Sequence, residues 1–132
     1  MEIAATLGNQ SLTAKGLGEC EHAGEGSIYQ RPAALWSARF SAGQGEEIRH
    51  LNLTFWREAS GPESFNLALS TGSGVHRIAT VEGGERQGRG TARLEGGPEA
   101  GTIVVEGTTD DGVALQVRVQ CERFTPLVAE GG

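Results

Sequence analysis

Cys20 sits in the run GECEH with a glutamate on either side and His22 two residues on, and Cys121 recurs a hundred residues later in VQCER. Three chemistries are open to this pair. Cys20 and His22 could share a strand face and hold a metal ion, but structural zinc sites usually offer two close ligand pairs and this chain offers one. Cys20 could be a nucleophile with His22 as its base, yet nothing resembling an oxyanion-hole loop follows it. The reading the pattern favours is a disulfide between Cys20 and Cys121, closing a loop of about a hundred residues and pointing to an oxidising compartment.

The other candidates are weaker. His22, His50 and His76 are the whole histidine supply and match no local metal motif. No serine stands in a G-x-S-x-G elbow, and Ser73 in TGSGV reads as a hairpin turn. Glycine-rich runs such as GGERQGRG lack the Walker lysine, because Lys15 is the single lysine and stands elsewhere. The 15 glutamates fall mostly in loops and on polar faces, where solvation leaves them ordinary acids rather than a glycosidase pair. Asp110-Asp111 is a turn before it is a calcium site. No catalytic residue and no cofactor is expected, and the metal site at Cys20 and His22 is the outlying alternative.

The aromatic residues carry the binding candidates. Trp36 shares its face with Phe40 and reads as core. In IRHLNLTFW the residues Leu51, Leu53 and Phe55 claim the buried face and leave Trp56 outward with His50, Asn52 and Thr54. An aromatic platform beside hydrogen-bonding side chains is a way to hold a sugar, and it would equally serve a protein contact. Tyr29 and Arg31, next to Pro32, form a second candidate at an edge or loop.

The elements that position these residues are strands. VALQVRVQCE alternates Val113, Leu115, Val117, Val119 and Cys121 against polar partners, which makes it a half-buried strand with Cys121 inward. SFNLALS and ALWSARFS alternate in the same way, and EIAATL, SLTA, VHRIATV, GTARL and TIVVEG complete a set of nine. Turn residues separate them, and Asp111-Gly112 is the strongest hairpin signal. Short strands about ten residues apart, each with one apolar face, predict an all-β, single-domain antiparallel β-sandwich of about eight or nine strands over residues 1–124, with a closed β-barrel as the alternative. Residues 125–132 read as a flexible tail.

The net charge of −6, with arginines scattered singly, excludes nucleic acid and anionic membrane as partners. No apolar run is long enough for a membrane span. Ten arginines to one lysine indicate a high-GC, bacterial genome. The expected function is a non-catalytic exported binding or assembly module, stapled by one disulfide, in the periplasm, on the cell surface or outside the cell, its leader peptide not being in this chain. Its partner would be a protein or glycan surface, with self-association through an edge strand as a further route. The alternative is a small carbohydrate-binding module using Trp56 with His50 and Asn52, or Tyr29 with Arg31.

Overall fold

A computed structural model describes residues 1–16, 18–28, 31–42, 47–58, 63–80, 86–96 and 100–126, with the side chains of residues 25–28, 31 and 32 left out. Eleven strands follow in order: β1 (Glu2–Leu7), β2 (Gln10–Lys15), β3 (Gly18–Ile28), β4 (Arg31–Ser41), β5 (Ile48–Glu58), β6 (Glu63–Thr71), β7 (Gly74–Ala79), β8 (Arg89–Gly96), β9 (Gly101–Thr108), β10 (Ala114–Cys121) and β11 (Thr125–Pro126). They form a five-stranded sheet, β2-β1-β10-β9-β8, and a six-stranded sheet, β11-β3-β4-β5-β6-β7. The two sheets pack against each other and stay open, so the fold is an all-β sandwich and not a closed barrel. There is no helix among the described residues, and so none long and apolar enough to cross a membrane.

All nine strands expected from the alternation form, and β3 and β11 are additional. β3 was hidden because three of its residues, Gly18, Gly24 and Gly26, have no side chain to show an alternation. It is held in place by pairing along β4, with a register shift between Ala23 and Gly26. β11 pairs in parallel with β3, Thr125 beside Glu21 and Pro126 beside His22, and the Thr125 hydroxyl donates to the Cys20 carbonyl at 3.2 Å. The chain is therefore still paired where the tail was expected to begin, and residues 127–132 lie outside the described ones.

Period-2 patterning decides the core. Leu51, Leu53 and Phe55 on β5, Phe65, Leu67 and Leu69 on β6, and Leu115, Val117, Val119 and Cys121 on β10 are all buried and meet in one cluster spanning both sheets. The Asp111-Gly112 signal is the β9–β10 turn, where Gly112 takes a φ of 86° and donates its N–H to the Thr109 carbonyl at 3.0 Å. Positive φ is what glycine permits and a side chain resists.

The disulfide joins Cys20 on β3 to Cys121 on β10 and so ties one sheet to the other. Beside it, the His22 ring stacks on Trp36 with centroids 4.4 Å apart, and its Nδ1–H donates to the Leu35 carbonyl at 2.8 Å. The Arg57 guanidinium lies 5.2 Å from the Trp36 ring centroid, so a cation caps this end of the core.

Several edge groups are covered. Glu47 accepts the Thr13 N–H of β2 at 2.9 Å. Gln87 exchanges two main-chain bonds with Ala79 of β7, and the Asp110 N–H donates to the Arg77 carbonyl at 3.1 Å. Capping of this kind blunts strand-to-strand association.

Candidate functional site

With Sγ of Cys20 bonded to Cys121, the residue offers neither a thiolate ligand nor a nucleophile, and His22 packs its ring on Trp36 and gives its Nδ1–H to the Leu35 carbonyl. Cys20 is thus a structural bridge between the sheets. Tyr29 lies outside the described residues, and Arg31 is described only as the first residue of β4.

The remaining candidates meet on one surface. Because Leu51, Leu53 and Phe55 face the core, His50, Asn52, Thr54 and Trp56 project from the outer face of the six-stranded sheet. At about 3.4 Å per residue they span about 20 Å along β5. Antiparallel register sets their neighbours, which lie about 5 Å apart across each strand pair. Asn52 stands between Arg39 of β4 and Ala68 of β6, and Ala68 is paired with Arg77 of β7. Thr54 stands between Ser37 and Asn66, and His50 between Ser41 and Ser70.

Each residue behaves differently there. His50 is tied to the Ser41 hydroxyl at 2.9 Å. Trp56 does point outward, but it is half-buried against Ala33 instead of lying open as a flat platform. Ala33 is only 5% exposed although it also faces outward, so the indole is what shields it. Asn52, Thr54, Asn66 and Arg77 have no side-chain partner among the described residues. Two shallow depressions share Asn52: one of about 300 Å³ bounded by Thr54, Asn66, Ala68, Arg77 and Gln87, the other of about 320 Å³ beside Arg39 and His50.

The outer face of the five-stranded sheet is a useful contrast. Val104 points outward yet is 1% exposed, because Arg93 and Arg118 flank it in register. Their aliphatic stems cover the valine while their charged ends stay in water. Arg93 pairs with Glu95 and Glu106, and Arg118 with Glu95, at 3.3–3.4 Å. A larger depression of about 570 Å³ on this face, around Ala4, is edged by the Lys15–Glu2 pair and by Arg118. Arg93 and Arg118 on this face are thus tied into one ion-pair network, whereas Arg77 on the other makes no ion pair with a described residue.

A second cluster lies at the β6–β7 turn. Ser73 Oγ and His76 Nε2 share a 3.1 Å hydrogen bond, and His76 is 7% exposed with Nδ1 unpartnered among the described residues. A serine beside a histidine is the start of a nucleophile, but the Ser73 N–H is taken by the Thr71 hydroxyl at 3.2 Å. That bond withdraws the donor a developing oxyanion would need. Nearby, the Asp111 carboxyl is held below the usual aspartate range, chiefly by the Thr109 hydroxyl that donates to it and in smaller part by the charge of His76.

The sequence singles out His50, Asn52 and Trp56 as candidates and passes over Asn66 and Arg77, which the strand register places on the same outer face. The alternation of SFNLALS already put Asn66 on a polar face; what it lacked was the neighbour. No family model matches the chain, and neither a curated protein nor a solved structure matches it.

Proposed function

We propose that this chain is a non-catalytic β-sandwich module that works in an oxidising compartment, exported from the cytoplasm, and that it binds a partner on the outer face of its six-stranded sheet. The observation that carries this reading is the set Asn52, Thr54 and Asn66, side chains without a partner among the described residues, gathered around one depression with Arg77, likewise unpaired, at its border. The inter-sheet disulfide supports the compartment, since such bonds persist where thiols are not kept reduced. The capped edges of β2 and β7 favour a face over an edge as the contact.

Among partners, a glycan suits this face best. Amides and a hydroxyl supply paired donors and acceptors for sugar hydroxyls, and the half-buried Trp56 with Leu35 beside it supplies an apolar border at one end. The face is shallow and polar, which suits an extended saccharide better than the deep apolar cleft usual for a small-molecule site.

Titration of isotope-labelled protein with a panel of oligosaccharides tests this. Binding should move the side-chain amide signals of Asn52 and Asn66 and the indole signal of Trp56. Asn52→Ala with Asn66→Ala should abolish the response at an unchanged melting temperature. The proposal is lost if no sugar moves these signals, or if the responding residues lie on the five-stranded sheet.

A further inference from the structure

We infer that the saccharide this face takes is anionic, a uronic-acid oligomer whose carboxylate is received by Arg77; the inference rests on the glycan reading above and adds the charge of the ligand. The chain carries 17 acids against 11 bases, so an area without acids is a departure from its average. From His50 to Trp56 on β5, and at the positions paired with them on β6 and β7, the outward residues include no aspartate and no glutamate. The area holds hydroxyls, amides, small apolar residues, Trp56 at one end, His50 and Arg77.

Arg77 is exposed and makes no ion pair with a described residue. Arg39, Arg57, Arg93 and Arg118, on other strands, are each held by a glutamate; Arg49, Arg86, Arg89 and Arg123 also make no ion pair with a described residue, but Arg77 is the arginine that borders this depression. The acids on elements packed around the area are engaged elsewhere or set aside. Glu19 and Glu21 of β3 both bind Arg39. Asp111 takes the Thr109 hydroxyl, and Asp110 reaches Arg77 through its main-chain N–H to the Arg77 carbonyl, with no pairing of the two charged groups.

Ala68 separates Arg77 from Asn52 and keeps the floor low, which produces the depression of about 300 Å³. Arg77 and Gln87 stand on one side of it, with Asn52, Thr54 and Asn66 on the other. A guanidinium presents two parallel N–H groups that match a carboxylate, and such charge-assisted pairs are the stronger hydrogen bonds. The amides opposite are placed for ring hydroxyls. One arginine at this depression, on a chain of net charge −6, is too little for a polyphosphate, and the shallow, polar floor formed by the described residues disfavours an acidic peptide, which needs an apolar socket.

The test is calorimetric titration of the full chain with oligomers of galacturonate, glucuronate and mannuronate and with the same oligomers fully methyl-esterified, using the native protein and Arg77→Gln. The native protein should bind one acid form about tenfold or more tighter than its ester. In Arg77→Gln, with melting temperature unchanged, that preference should vanish. Equal affinity for acid and ester overturns the inference while the glycan reading stands. A preference that survives Arg77→Gln overturns it as well, as does a sulfated oligosaccharide bound as tightly as the uronide, since the site then reads charge alone. Binding of none of these oligomers, acid or ester, overturns the inference, and the oligosaccharide panel above then decides the glycan reading separately.

Discussion

Opening the Cys20–Cys121 bond should remove a large share of this domain's stability without changing its fold. The two residues are 101 positions apart in a chain of 132, so the bond closes about three quarters of it into one loop. On the chain-entropy model a loop of about a hundred residues restricts the unfolded state by about 4.7 kcal/mol at 25 °C, and measured disulfides typically give about 2–4 kcal/mol. Single domains are stable by about 5–15 kcal/mol in all. The reduced protein should therefore fold at 25 °C but with a much narrower margin. Urea denaturation followed by tryptophan fluorescence, on oxidised protein, reduced protein and Cys20→Ala/Cys121→Ala, reads this directly. With a slope near 2 kcal/mol/M, a loss of 3 to 4 kcal/mol lowers the midpoint by about 1.5–2 M. The slope itself should rise, because the unlinked chain exposes more surface on unfolding. Because Cys20 and Cys121 are 7% and 2% exposed, reductant should act only as the native protein opens. A loss under about 1 kcal/mol, with an unchanged slope, refutes the argument that loop closure is what the bond contributes.

Two further outcomes follow from the geometry. A Cβ on Gly107 would collide with the Arg89 carbonyl and lie 2.7 Å from the Gly90 Cα, so Gly107→Ala should destabilise by about 1–3 kcal/mol or more as β8 and β9 are forced apart. Gly72 has nothing within 4 Å of such an atom, and Gly72→Ala should change thermal stability by no more than about 1 kcal/mol, in the stabilising direction; equal effects at the two sites would be the wrong result. Asp111 is depressed, so its contribution should be complete above the usual aspartate range and disappear as pH falls through its lowered value. A carboxyl titration by NMR checks it: Asp111 should titrate below an ordinary aspartate and return toward one in Thr109→Val, and a native Asp111 titrating normally would contradict the assignment.

What the chain states by itself is local. The alternation in β5, β6 and β10 identified the residues that face the core, because a pleated strand turns successive side chains to opposite faces whatever its neighbours are. With only two cysteines, the partner of Cys20 was legible too, and Asp111-Gly112 announced its own hairpin. The tertiary structure decided the rest. Gly18–Ile28 became a strand because β4 pairs with it and the disulfide holds it. Trp56 came to rest half-buried because Ala33, 23 positions away, lies under its ring. Arg77 came to border the same depression as Asn52 because β6 lies between β5 and β7 in the register that pairs Ala68 with both Asn52 and Arg77. Alternation is set by backbone sterics within one strand, while strand order and register are set by how two whole sheets close over a shared core, and a surface site that draws on several strands exists only once that closure is made.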